Sequence, residues 1–450
     1  MPENTPDIRA GRLSATQYAQ NFADATPLMT ASEAMMEAQR CLYCFDAPCQ
    51  TACPTSIDVP SFIHRISDGN LRGAARTILE SNPLGGMCAR VCPTEVLCEQ
   101  VCVRQTQQGK AIEIGRLQRF AVDSLLARSA PPIFTRAPAT GKRVAVVGAG
   151  PAGLACAHTL ARLGHDVVIF EVKPKAGGLN EYGLATYKTP DDFAQKEIAW
   201  LLSIGGIRIE HGYQFNATAL KSLQASFDAV FLGIGLSKVA ALNLPGEDLS
   251  GVRNAVDFIA ELRQSDPAQV PIGRRVVVIG GGMTAVDAAV QAKLLGAKVV
   301  HMAYRRGKAQ MSASPAEQDW ARTNGVVLHH WLLPIAIEGE NGHVTAVNFA
   351  EQALVNGAQQ STGREIRFEA DMVFKAIGQK LDDGLLAGTG LTLQDGRIAT
   401  AEDGATHLKG VWAGGDCRAG GLDLTVEAVD HGKKSAAAIH AAITNTIVRK

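Results

Sequence analysis

Apolar residues recur at two different periods along the chain, and the change falls near residue 140. Upstream, segments such as ASEAMMEAQRCLYC (31–44) and PSFIHRISDGNLRGAARTILESN (60–82) read as helices. Downstream of Arg143, short β-branched runs alternate with Ala- and Leu-rich helical windows, the βαβ pattern of a parallel sheet. Between them, SAPPIFTRAPATGK (129–142) is Pro-rich and reads as a linker. The fold class expected is α/β, with a helical N-terminal domain.

Two stretches of the second part resemble each other: RVAVVGAGPAGLACAHTLARLGHDVVIFE (143–171) and RRVVVIGGGMTAVDAAVQAKLLGAKVVHMAYRR (274–306). Each is a strand, a Gly-rich turn, a helix and a second strand, so two Rossmann-like nucleotide-binding units are expected. In the first, Gly148, Gly150 and Gly153, with Ala149, Pro151 and Ala152 between them, form G-x-G-x-x-G. The first Gly permits the turn, the second lets backbone approach a pyrophosphate, and the third allows close helix–strand packing. The helix N-terminus then offers free N–H groups and a positive dipole to phosphate. Glu171 ends the second strand, where a carboxylate accepts ribose hydroxyls.

FAD is the nucleotide expected here. Gly178 and Leu179 follow soon after Glu171, where flavoproteins with two dinucleotide domains run past the flavin pyrophosphate. VWAGGDCRAGGLDLTVEAVDHGKKSA (411–436) resembles their second FAD motif. Gly415 and Asp416 end its strand, with Asp416 on the ribitol, and Thr425 and Val426 open its helix. The second loop, Gly280, Gly282, Met283, Thr284 and Ala285, reads as an NAD(P)H site. It has no acid at the position equivalent to Glu171, and Arg305, Arg306 and Lys308 follow, which favours the 2′-phosphate of NADPH. NADH is the alternative, with these cations then only a solvated face.

Length, 450 residues, suggests two to four domains. Lys+Arg and Asp+Glu both number 44, so charge makes no case for nucleic acid or an acidic membrane surface. No run of 18 apolar residues appears, and the first residues lack an apolar signal core, so a cytoplasmic protein with no membrane span is expected. Ten cysteines are present, and eight lie between Cys41 and Cys102. In a cytosolic chain such crowding points to metal rather than disulfides. The runs are Cys41-x2-Cys44-x4-Cys49-x3-Cys53-Pro54 and Cys88-x3-Cys92-Pro93-x4-Cys98-x3-Cys102. They suit two [4Fe–4S] clusters, with the Cys–Pro residues shared across the pair. Zinc is the competing reading of the spacing. The adjacent flavin and nicotinamide motifs favour redox metal, since a two-electron donor needs a flavin to feed one-electron carriers. Cys156 and Cys417 stand apart and read as core residues.

Cysteine region, FAD loop, NAD(P) loop and FAD return occur in the order seen in glutamate synthase small subunits and in the N-terminal half of dihydropyrimidine dehydrogenases. CLYCFDAPCQTACPTSIDVPSFI, NPLGGMCARVCPTEVLCEQVC and IEIGRLQRF resemble the latter family most, in its bacterial two-subunit form. The resemblance implies one cluster on Cys41, Cys44, Cys49 and Cys102. It implies a second on Cys53, Cys92, Cys98 and the amide of Gln118, whereas spacing alone favours Cys88 as the fourth ligand. It implies Lys188 near FAD, although GLATYKTP departs from the usual G-I-P segment there, and Ala376, Ile377 and Gly378 in the NAD(P) return. No catalytic side chain is expected, since hydride transfer is cofactor chemistry and the protein supplies position and electrostatics. An FMN- and iron–sulfur-bearing barrel subunit would be the partner in a hetro-oligomer that reduces uracil or thymine, since no such barrel follows the FAD return. The expected domains are 1–140 iron–sulfur, 141–258 and 386–450 FAD, and 259–385 NAD(P). The alternatives are a glutamate synthase small subunit, a stand-alone NAD(P)H reductase, and a zinc-stabilised scaffold without enzymatic activity.

Overall fold

The computed structural model describes residues 8–127 and 132–444, so the first residues of the expected linker lie outside the described residues. Helices come first, among them α1 (Ala15–Asn21), α2 (Ala31–Gln39), α3 (Val59–Ser67), α4 (Leu71–Ser81), α5 (Gly85–Val91) and α6 (Ile114–Leu126). Then follow β1 (Arg143–Val147), α7 (Pro151–Arg162), β2 (Asp166–Glu171), α8 (Phe193–Leu202), β3 (Ile207–His211) and β4 (Ala229–Leu232). Next are β5 (Val252–Asn254), β6 (Arg275–Ile279), α9 (Met283–Leu294), β7 (Val299–Tyr304), α10 (Pro315–Thr323) and β8 (Val327–His330). The last are β9 (Leu332–Glu340), β10 (His343–Val355), β11 (Ala358–Glu369), β12 (Met372–Lys375), β13 (Val411–Ala413) and α11 (Thr425–Thr444).

These elements form two compact units. Among the described residues, the larger holds 26–127, 132–181, 191–238 and 380–444; the smaller holds 8–25, 182–190 and 239–379. In the larger unit the helices start on side-chain caps that the sequence supplies. Thr30 and Glu33 form a capping box on α2, Asp58 caps α3 ahead of Pro60, and Asn70 caps α4. Their buried faces, with Phe62, Ile63, Ile66, Ile78, Leu79 and Leu117, form one core. The same unit contains a parallel sheet in the order β13-β4-β1-β2-β3. Strand β4 is buried throughout and β1 everywhere but Arg143, because helices cover both faces.

The smaller unit has a parallel sheet β5-β12-β6-β7-β8 and an antiparallel sheet β9-β10-β11. Its sequence limits differ from the expected ones. Strand β5 pairs with β12, and Phe258 stacks on Phe374 at 4.3 Å, so residues 239–258 belong here. Residues 8–25 also belong here rather than to the helical domain expected over 1–140. Arg12 donates to the carbonyls of Ile272 (3.2 Å), Gly273 (3.4 Å) and Gly296 (3.4 Å), and Tyr18 is buried in the unit's core.

Candidate functional site

Strand β1 has β2 on one side and β4 on the other, so the strand order reverses there, where open α/β sheets leave a ligand crevice. The glycines at that point have distinct constraints. Gly148 has φ +97°, and a Cβ on it would lie 2.3 Å from the Gly233 carbonyl. A Cβ on Gly153 would lie 1.9 Å from the Gly148 carbonyl. A Cβ on Gly150 would come no closer than 3.9 Å to protein, so the protein itself does not require glycine there. Its open side and the uncapped first turn of α7 are what an approaching pyrophosphate needs.

The other FAD candidates gather at this spot. Glu171 is buried and its carboxylate is fixed by the N–H groups of Ala149 (2.7 Å) and Lys173 (2.8 Å). Gly178 abuts Gly150, and a Cβ on Gly415 would meet the Ala152 side chain at 2.9 Å. Thr425 donates to Asn180 Oδ1 at 2.9 Å, joining the start of α11 to the segment after Leu179. Helices α11 and α7 pack so closely that Gly432 could not carry a Cβ, which would lie 2.2 Å from the Ala152 carbonyl; Val426 is buried. Asp416 makes no hydrogen bond to the described residues, and burial, with Asp423 nearby, pushes its carboxyl up to about 6.

In the smaller unit, the order reverses at β6, between β7 and β12. Gly280 has φ +151°, and a Cβ on it would lie 2.2 Å from the Ala376 carbonyl. Gly282 caps α9 without a side chain, Met283 and Thr284 are half-buried, and Ala285 is packed in the core. Gly280 N–H donates to Ala303 as Gly148 N–H does to Phe170, so Tyr304 takes the place that Glu171 holds in the first loop. Arg305, Arg306 and Lys308 follow it, exposed and without a salt bridge among the described residues. Ala376 and Ile377 are half-buried after β12, and Gly378 is exposed with φ +103°.

Lys188 lies in the smaller unit, where its ammonium is bound by Asp287 (2.8 Å) and Glu317 (2.7 Å). Those two carboxylates raise its affinity for a proton, although burial opposes them.

The cysteines form two adjoining groups. Cys41, Cys44, Cys49 and Cys102 line one cavity with Val59, Ile63 and Ile112. Burial pushes the Cys49 thiol up to about 12, with Cys41 and Cys102 adding to the rise. Cys92 is raised by a hydrogen bond with Cys88, by burial and by Cys98 and Cys53, which defines the second group. Cys98 feels both Cys53 and Cys49, so the groups adjoin. Cys49, Cys92 and Cys98 are therefore held as thiols until a cation replaces the proton. Gln118 is buried, and its Nε2 donates to the Gly85 carbonyl at 2.7 Å, leaving Oε1 as the side chain's ligating atom. Cys88 belongs to this group on α5, and Gln118, on α6, is tied to the first turn of α5. Among the described residues no three His, Cys, Asp or Glu side chains converge on a single-ion site. The four thiols of the first group line a space, as ligands of a cluster do. Tyr43, Ala47 and Ser56 are non-glycine residues at positive φ within these loops, local strain of the kind functional sites retain. Cys156 and Cys417 are buried in the larger unit's core, as expected.

Sequence reasoning missed Asn180 and Glu197. Glu197 carried a signal: it falls on the apolar face of α8, in line with Phe193, Ile198 and Leu201.

Residues 142–432 match the family described as pyridine nucleotide-disulphide oxidoreductase. Residues 18–130 match the family described as dihydropyrimidine dehydrogenase domain II, 4Fe-4S cluster. The NAD-dependent dihydropyrimidine dehydrogenase subunit PreT of Salmonella typhimurium is 36% identical over 94% of this chain and 97% of its own. The chain belongs to this family of flavin and iron–sulfur oxidoreductases. The glutamate synthase [NADPH] small chain of Halomonas elongata, another relative, is 33% identical over 96% of this chain and 94% of its own. FprA from Mycobacterium tuberculosis shares the fold, with a TM-score of 0.56 and 20% identity over 69% of this chain and 85% of its own. The cofactors of this oxidoreductase are therefore FAD, NAD(P)H and [4Fe–4S] clusters, and the glycine cradles and thiol cages have the chemistry to hold them. Among the described residues no helix is long and apolar enough to cross a membrane.

Proposed function

We propose that the chain is the electron-input subunit of a cytoplasmic dihydropyrimidine dehydrogenase. It would pass electrons from NAD(P)H to an FMN- and iron–sulfur-containing partner that reduces the 5,6 double bond of uracil or thymine. The observation that carries this reading is the likeness to the PreT subunits along nearly the whole of both chains. The fold supports it, because the cysteine helices and the first glycine loop share one compact unit.

When bound, FAD accepts hydride from the nicotinamide and releases electrons singly, which is cofactor chemistry. The chain's residues position and hold. Gly148, Gly150, Gly153 and α7 would seat the FAD pyrophosphate, Glu171 the ribose and Asp416 the ribitol. Gly280, Gly282 and α9 would seat the NAD(P)H pyrophosphate, with Arg305, Arg306 and Lys308 at a 2′-phosphate. Cys41, Cys44, Cys49 and Cys102 would hold one cluster. Cys53, Cys92 and Cys98, with Gln118, would hold the other.

The test is co-purification with the partner subunit, followed by NADPH and NADH oxidation with and without uracil. Uracil-dependent oxidation is expected. Oxidation that responds to a glutamate synthase large chain with glutamine and 2-oxoglutarate, and not to uracil, would instead support the second reading that the Halomonas elongata relative favours.

A further inference from the structure

Glu197 is fully buried on α8, yet it forms no salt bridge among the described residues. Its Oε1 accepts the N–H groups of Gly86 (2.6 Å) and Met87 (3.2 Å), and Oε2 also accepts that of Met87 (3.2 Å). These donors open α5, the helix that carries Cys88 and leads into Cys92. The Gly85 carbonyl at the same turn holds the Gln118 amide. The seat is built for a carboxylate: a Cβ on Gly86 would lie 2.8 Å from Glu197 Oε1 and 2.6 Å from the Phe193 ring.

The surrounding charges are already committed. Arg90 of α5 lies over the Phe193 ring at 3.3 Å and binds Asp123 of α6 at 2.7 Å, and Arg119 approaches the same carboxylate at 3.5 Å. Of the helices packed nearby, α7 carries His158, which burial holds neutral, and α11 carries Lys433, which donates to the Ser81 carbonyl. Burial outweighs the two N–H donors and Arg90, and pushes the Glu197 carboxyl up to about 8. It can therefore change charge near neutral pH, where an exposed carboxylate cannot.

We propose that Glu197 sets the reduction potential of the second cluster and takes up one proton as that cluster takes up one electron. The electron comes from NAD(P)H by way of FAD and the proton from solvent, so local charge is conserved and no other reactant is consumed. A neighbouring negative charge opposes reduction, and charge near a cluster is a recognised lever on its potential. Glu197 is thus a positioning residue that acts through α5. The inference rests on the proposed cluster ligands.

The experiment is an anaerobic redox titration of the holoprotein followed by electron paramagnetic resonance, from about pH 6 to about pH 10. In the wild type the midpoint of one cluster should fall as pH rises through the carboxyl's range. Glu197→Gln keeps an oxygen for the Gly86 N–H and removes the charge. Its midpoint should be independent of pH and equal to the wild-type value on the acid side. A wild-type midpoint that ignores pH would overturn the inference, as would a variant that keeps the wild-type slope. Absence of any iron–sulfur signal in the wild type would overturn the cluster reading itself.

Discussion

Lys188 shows how firmly one side chain can be held by its neighbours. Its ammonium is nearly enclosed between Asp287 and Glu317, and Tyr187 donates to the same Asp287 at 3.2 Å. Lys188→Met would leave two carboxylates buried without their cation. Breaking such a group costs on the order of 3–5 kcal/mol. Urea unfolding should show that loss, with bound flavin spectrally unchanged in the folded protein; a variant as stable as wild type would show that the charge is dispensable. Arg305 and Arg306 present the opposite case, exposed cations that form no salt bridge among the described residues. Replacing both with Ala should raise the KM for NADPH at least tenfold and leave that for NADH nearly unchanged, measured with an artificial electron acceptor. Equal effects on both nucleotides would mean these residues do not read the 2′-phosphate. The missing acid after β7 was legible because sequence spacing alone locates the end of a strand. The environment of Lys188 was not, because Asp287 and Glu317 lie about 100 and 130 positions away, as their numbering shows.

At the scale of elements, both strand–turn–helix units were legible, because their glycines answer to local sterics. Gly148 must adopt positive φ, and Gly153 must touch the preceding turn, whatever the rest of the chain does. Helix α7 carried a second property that spacing could not reveal. His158 is buried on its face between Phe134 and Trp200, with ring centroids 5.9 Å from each, and burial lowers its proton affinity to a value of about 3. The unfolded chain protonates the same group near the ordinary 6.5. Because the folded value is depressed, the unfolded state binds the extra proton between those limits. Stability from this residue is therefore complete above about pH 6.5 and is lost as pH falls towards 3. His158→Phe fills the aromatic pocket and removes the proton site. The thermal midpoint for flavin release should fall less steeply with acid in this variant than in wild type. Identical slopes would exclude His158 as a source of acid lability.

Across the whole molecule, the path of the chain matters more than the order of its motifs. A reading by composition assigned everything before residue 140 to the cysteine helices, because nothing in the first residues marks them as different. Contacts decide otherwise. Arg9 pairs with Ile272, Arg12 binds three carbonyls around residues 272–296, and Asn21 donates to the Leu294 carbonyl at 2.8 Å. Tyr18 completes the core with Val270, Ile272 and Leu295. The arm therefore belongs to the nicotinamide-type sheet although the helical cysteine region follows it directly in sequence. Deleting residues 1–25 removes Tyr18 from that core and leaves backbone carbonyls at 272, 273 and 296 without their guanidinium partner. Losing one large buried side chain alone costs on the order of 3–5 kcal/mol. The truncated protein should keep its iron and flavin content, since the cysteines and the first glycine loop belong to the larger unit. Its KM for NAD(P)H should rise, and proteolysis should cut first within 239–379. Loss of iron with normal nicotinamide kinetics would place the arm with the cysteine helices after all.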